Sequence, residues 1–276
     1  MNSSTRPTPR PFRDSDAQAI LPRSASLALW LPRVASGQWS PEVAAQSVQQ
    51  EDEPHIIDDR GSAVSLVTFL RSTLGRVVAS CAVFPVPGDI ASAPYLATHS
   101  GVESEELVLV RMVAEDRSQR NIALVPEVTE FGPAGDRGYS THWNVVEVDP
   151  WEFQVLGSAG SLADAQRALR VGLAQATEAL IALDVARWHE EHADLIDLLR
   201  DSYDLSGYIP EDLPARVYSV LESSARLRAI VDIARFSDGS ALNSTQAQAR
   251  LRLLRDVDAI SRRAMEAATL MTPLVG

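Results

Sequence analysis

Five histidines and one cysteine are the residues of this sequence best suited to proton transfer, metal binding or nucleophilic attack. Their densest grouping is Trp188-His189-Glu190-Glu191-His192, with Asp194 two positions on. A zinc-hydrolase helix needs two histidines four positions apart with Glu directly after the first, because only that spacing stacks both rings on one face. Here the histidines are three apart, so that geometry is not met. His189, His192 and Asp194 are the nearest approach to a metal set, against the plainer reading of a polar helix start in which Glu190 and Glu191 favour the positive end of the dipole. The expectation is that the chain holds no metal and no cofactor.

His55 followed by Asp58 and Asp59 is a better acid-base or Mg²⁺ candidate, since paired acids at a strand end can hold a hard cation. His142 lies beside Trp143 in a strand-like run, where a packed or surface ring is the ordinary outcome and a catalytic base the rarer one. Cys81 sits within an apolar run from Val77 to Phe84 that reads as a buried strand, not at the helix N-terminus that activates a thiol. There is no glycine-flanked serine elbow. The segment Leu156-Gly157-Ser158-Ala159-Gly160-Ser161 precedes a helix, as a phosphate cradle would, but it lacks both the three-glycine dinucleotide pattern and a phosphate-loop Lys.

That last absence is general. All 25 basic residues are Arg, which excludes Schiff-base chemistry, phosphate-loop lysines and lysine general bases. A formal charge of −12 opposes the basic footprint that nucleic acid or an anionic membrane requires. No apolar run approaches the ~20 residues of a membrane-spanning helix. One cysteine cannot close an intramolecular disulfide, and the proline- and acid-punctuated N-terminus is not ordered like a secretory signal, so a reducing cytosol is the expected compartment. Acidity is unevenly placed: residues 1–209 hold 16 Arg against 29 acids, residues 210–276 hold 9 against 8.

The elements that must carry these residues follow from periodicity. Residues 1–20 read as a disordered tail, residues 21–160 as a sheet module and residues 161–276 as a helical module, the last two being either separate or one continuous domain. Pro32 is expected to stop or kink the first helix. Ser40-Pro41-Glu42 opens a second one, with Val43, Ala44 and Val48 as its apolar face. Residues 62–74 show helical spacing at Val64, Val67, Leu70 and Leu74. Strands are expected at residues 55–57, 76–84, 106–113, 121–128 and 141–148, with a further one at 152–156. Connectors too short for helical crossovers make the sheet mixed or antiparallel.

Ser161 with Asp164 forms a capping box, followed by a stripe through Leu162, Ala165, Leu169, Leu173, Ala176, Leu180 and Leu183. A helix is expected over residues 190–203, a linker over 205–210, and two final helices over 214–236 and 244–271 joined by the turn at 237–240 as an antiparallel hairpin. Strands first and helices afterwards make the fold class α+β.

Three stretches carry a resemblance: Ala182-Leu183-Asp184-Val185-Ala186-Arg187-Trp188, Phe84-Pro85-Val86-Pro87-Gly88-Asp89, and Ile230-Val231-Asp232-Ile233-Ala234-Arg235 ahead of Asp238-Gly239. From about residue 27 to the C-terminus the chain resembles a family of uncharacterised actinobacterial proteins with this sheet-then-helices layout. The resemblance implies a cytosolic protein and carries no catalytic residue.

The leading expectation is a non-catalytic interaction or regulatory protein that meets a protein partner or a second copy through its last helices, at Leu251, Leu254, Arg255 and Arg262. The first alternative is a small-molecule-binding protein or hydrolase with a site at the loops around residues 87–89 and 132–138 and the start of the Ser161 helix. The second is a transcription-associated regulator without its own base-reading helix.

Overall fold

The computed structural model describes residues 21–114, 116–133, 137–182, 204–236 and 244–271. The expected tail, the helix over residues 190–203, His189, His192, Asp194 and the turn at 237–240 lie outside them.

The described residues open with α1 (Arg23–Ala35), which runs through Pro32. A proline inside a helix removes the N–H that would bond the carbonyl four residues back. That carbonyl belongs to Ala28, and the buried Ser80 hydroxyl donates to it at 2.7 Å. Of the expected stop or kink, the stop does not occur: the helix continues past Pro32, where a strand 52 residues away supplies the missing donor. In α2 (Pro41–Gln49) the Ser40 hydroxyl accepts from Val43 N, as the Ser-Pro-Glu pattern predicts. Its buried face is Ala44, Ala45 and Val48, whereas Val43 points to solvent.

Residues 62–74 are not one helix. The strand β1 (Ile56–Asp59) turns through Arg60 and Gly61 into β2 (Ser62–Ser65), and only then does α3 (Leu66–Ser72) begin, capped by the Ser65 hydroxyl. Arg60 and Gly61 both have positive φ, the pair of conformations that a tight two-residue hairpin needs. The sheet is completed by β3 (Val77–Val83), β4 (Leu107–Val113), β5 (Gln119–Phe131) and β6 (Gly138–Glu147). Strand order is β2-β1-β6-β5-β4-β3. Every pairing is antiparallel except β1 with β6, so the sheet is mixed.

Between β3 and β4 lies α4 (Tyr95–Ser104), which the sequence pattern does not announce. Residues 152–156 belong to a helix, α5 (Glu152–Ala159), rather than a strand. Then follow α6 (Leu162–Ala182), α7 (Ala215–Phe236) and α8 (Ser244–Thr269). The capping box at the start of α6 is reciprocal: Asp164 N donates to the Ser161 hydroxyl and Ser161 N donates to the Asp164 carboxylate. Helices α7 and α8 form the expected hairpin, and the Ser261 hydroxyl bonds Ser224 O at 2.9 Å where they meet. Residues 205–210 do more than link, since Leu205 and Ile209 are buried.

Alternation along the strands gives the sheet two apolar faces. Ala82, Phe84, Val108, Val110, Leu124 and Trp143 pack with α1, α6, α7 and α8 in a core that joins residues from both halves of the chain. Cys81, Val83, Leu107, Leu109, Ala123 and Val125 face the other way, under Ala97 of α4, Val155 of α5 and Trp151 just before it.

An exposed β3 edge would be an aggregation template. Here α8 and the residues just after it cover it: Ser80 N bonds Met271 O at 2.9 Å, Ala82 N bonds the Thr269 hydroxyl at 3.1 Å, and Phe84 N bonds Glu266 Oε1 at 3.0 Å. A backbone carbonyl, a hydroxyl and a carboxylate take the places of a neighbouring strand. Among the described residues no helix is long and apolar enough to cross a membrane.

Candidate functional site

His55 is completely buried, and both ring nitrogens are occupied. Nε2 donates to Asp52 Oδ2 at 3.1 Å, and Nδ1 accepts from the Trp143 indole N–H at 3.2 Å, which fixes the neutral tautomer. Burial pushes the His55 pKa below its ordinary value, against the opposing pull of Asp52. Burial would also raise the Asp52 carboxyl, but hydrogen bonds from His55 and Arg23 hold it below the usual range. Thr141 completes the set with a hydroxyl donated to Asp52 at 3.3 Å. An Asp-His pair of this kind could orient a general base, yet no nitrogen is left to reach a substrate. The network fastens α1, the α2–β1 connection and β6 together.

The other histidine and acid candidates are scattered. Asp58 accepts from Gly61 N at 2.8 Å and closes the β1–β2 turn. Asp59 is clamped by Arg120 through two bonds of 2.9 Å, which lower its pKa. His142 stands exposed on β6, away from the buried ring of Trp143. Burial raises the Cys81 thiol well above its ordinary value, and the nearby Glu266 adds to the rise, which disfavours the thiolate that nucleophilic attack requires. Among the described residues no group of three or more His, Cys, Asp or Glu could hold a metal ion.

The second buried network lies where α8 meets the end of β3. Arg262 donates to Asp258, to Phe84 O and to Asp89, each at 3.0 Å. Burial alone would raise the Asp89 carboxyl, but the charges of Arg262 and Arg263 hold it low. Glu266 Oε1 accepts from Phe84 N and from the Ser92 hydroxyl, while its Oε2 is buried with no hydrogen-bond partner. Burial raises the Glu266 pKa to about 7 despite those two bonds.

Of the four residues expected to form a partner face, Leu254 and Arg262 are buried within the chain, because the α8 stripe packs on α7 and the sheet and Arg262 ties the loop at residues 85–89. Leu251 and Arg255 are exposed. Of the loops expected to flank a small-molecule site, the one around residues 87–89 is tied to α8 through Asp89 and Arg262, and the one at residues 132–138 lies partly outside the described residues.

The exposed apolar surface is elsewhere. On α4, Tyr95 is 90% and Leu96 58% exposed; on α5, Phe153 is 93% and Leu156 53% exposed. Gln154 Nε2 bonds Ala91 O and Ala93 O, both at 2.9 Å, and so ties α5 to the segment that leads into α4. Ile90, also half exposed, precedes that segment. Aromatic side chains left almost wholly in water are characteristic of a surface that another molecule covers. Exposure is set by which neighbours a helix acquires, so composition alone could not single these residues out.

Residues 24–155 match the Rv1486c-like protein, N-terminal domain, and residues 163–266 match the Rv1486c-like protein, C-terminal domain. No curated protein and no solved structure matches the chain.

Proposed function

Since the chain belongs to the Rv1486c-like family, a family named after a mycobacterial protein, with that family's two domains in order, we propose that it is a cytosolic interaction or regulatory protein without catalytic chemistry of its own. Its partner face is the outer surface of α4 and α5. The carrying observation is the near-complete exposure of Tyr95 and Phe153 on adjoining elements. Support also comes from the internal engagement of His55, Asp59 and Cys81, each tied to neighbours in the fold.

A photoreactive phenylalanine analogue placed at Tyr95 or Phe153 in the producing cell tests this reading. It predicts one adduct of the same mass from both positions and none from Val43, an exposed side chain of α2, whose buried face packs in the core on the other side of the sheet. Equal labelling from all three positions, or none from any, would sink it.

A small-molecule site is the second reading, and one observation favours it. The fully buried Trp151 indole N–H has no acceptor, and Asn121 Oδ1, which faces the same side of the sheet, has no donor. A bound polar molecule would satisfy such groups. Thermal-shift screening of wild type against Trp151→Phe separates this from the first reading.

A further inference from the structure

The α4–α5 face has a charge pattern as well as an apolar one. Residues 77–110 and 138–166 contain no Arg, although the chain has 25, and Arg111 of β4, which reaches α5, is held by Glu152 at 2.6 Å. Glu103, Glu105 and Asp149 on this side are exposed. Among the described residues no Arg pairs with any of them; Glu103 has only His99, at 3.6 Å.

The placement of Glu103 and Glu105 is costly for the helix itself. They occupy the last turn and the C-cap of α4, the end where the helix dipole is already negative and where a cation would be expected for stability. Glu105 in addition adopts φ 61°, a conformation ordinarily left to glycine. Two carboxylates concentrated at a negative helix end, with no cation in the last turn, form an electrostatic complement to a positive group from outside.

Resting on the interaction reading, we infer that the α4–α5 face receives a basic amphipathic helix of a partner protein. Its apolar side seats on Tyr95, Leu96 and Phe153, and its Arg or Lys residues reach Glu103 and Glu105. Eight residues separate Tyr95 from Glu103, about 12 Å along the α4 axis, so a helix laid along α4 presents its cations two turns beyond its apolar anchors. That is helix-in-groove recognition, with anchors for affinity and charge for register and orientation.

The probe is a synthetic amphipathic peptide of about 18 residues built from Leu and Arg, long enough to form a helix on binding, with a Leu/Glu counterpart as control. Fluorescence anisotropy on the full chain should give binding of the Arg peptide alone. Tyr95→Ser with Phe153→Ser, which leaves net charge unchanged, should weaken it by roughly tenfold or more. Glu103→Gln with Glu105→Gln should weaken it about threefold and flatten its dependence on salt. All four residues are exposed or at a helix end, and circular dichroism checks that the fold is kept.

Equal affinity of both double variants and wild type for the Arg peptide would overturn the assignment, since attraction to an acidic protein would then be unspecific. So would a dimer, seen by light scattering, that the Tyr95→Ser, Phe153→Ser variant dissolves, because the occupant would be a second copy. Either result can coexist with adducts at Tyr95 and Phe153, so failure of the basic-helix assignment is distinguishable from failure of the interaction reading.

Discussion

The Ser80 hydroxyl donates to Ala28 O at 2.7 Å, the carbonyl that Pro32 leaves without its helical partner. One proline and one serine thus form a matched pair across the interface of α1 and β3. Removing the serine alone strands a buried acceptor, which costs about 1–3 kcal/mol. Ser80→Ala should therefore lower the urea midpoint by that amount with an unchanged slope. Pro32→Ala restores an N–H at the right place, so the double variant should recover part of the loss. Additive effects in the double-mutant cycle would show that the two residues are not coupled.

Glu266 gives the fold a pH dependence of definite sign. Its pKa in the folded chain is about 7, above the ordinary 4.5, so between these values the native state binds more protons than the unfolded state. The contribution of this carboxyl to stability is therefore present at low pH and falls as pH rises from 4.5 to about 7, levelling off above. Glu266→Gln retains an acceptor for Phe84 N and cannot ionise. Relative to wild type, the variant should gain on the order of 2 kcal/mol across that interval. Urea unfolding at several pH values measures the difference, and a constant offset would contradict the assignment.

The neutral tautomer of His55 depends on Trp143. An N–H donated to Nδ1 stabilises the uncharged ring and adds to the burial that already lowers its pKa. Trp143→Phe removes that donor while keeping most of the apolar volume. The His55 titration, followed by nitrogen-detected NMR, should move upward toward the ordinary value. Because His55 is held neutral in the fold, its contribution to stability is lost as pH falls through the unfolded value of about 6.5, and the variant should lose less stability over that range. An unmoved titration would assign the low pKa to burial alone.

What the sequence made legible was local. The Ser40 cap of α2 and the Ser161–Asp164 box of α6 are satisfied within four residues, and both sit where their patterns predict. The strands of the sheet's centre are continuous apolar runs because both faces are covered. The passage of α1 through Pro32 was not legible, since its condition is a hydroxyl 52 residues away. The spacing of Val64, Val67 and Leu70 imitates a helix, but Ser65 caps one and pairing with β1 takes the residues before it. Helix α4 escaped because it buries Ala97 and Gly101, too small to form a stripe. The exposed face was hidden for a related reason: Leu254 and Phe153 are both apolar, and only the fold decides that one is covered and the other is not.

The seating of α4 can be tested at Gly101. A Cβ there would lie 2.6 Å from Leu107 Cδ2 and 3.1 Å from Pro85 Cγ, so the helix lies against β4 at a distance only glycine permits without a shift. Alanine gains up to about 1 kcal/mol in helix propensity over glycine, and the Leu107 methyl is the far end of a flexible side chain that can turn aside. Gly101→Ala should consequently change stability by no more than about 1 kcal/mol. Valine adds two methyl groups against the Pro85 ring and the Leu107 side chain, and overpacking of this kind costs about 1–3 kcal/mol. Gly101→Val should lower the thermal midpoint and, by lifting α4 from the sheet, displace Tyr95 relative to Phe153. If the basic peptide binds the lifted helix as well as it binds wild type, Tyr95 and Phe153 do not act as one surface.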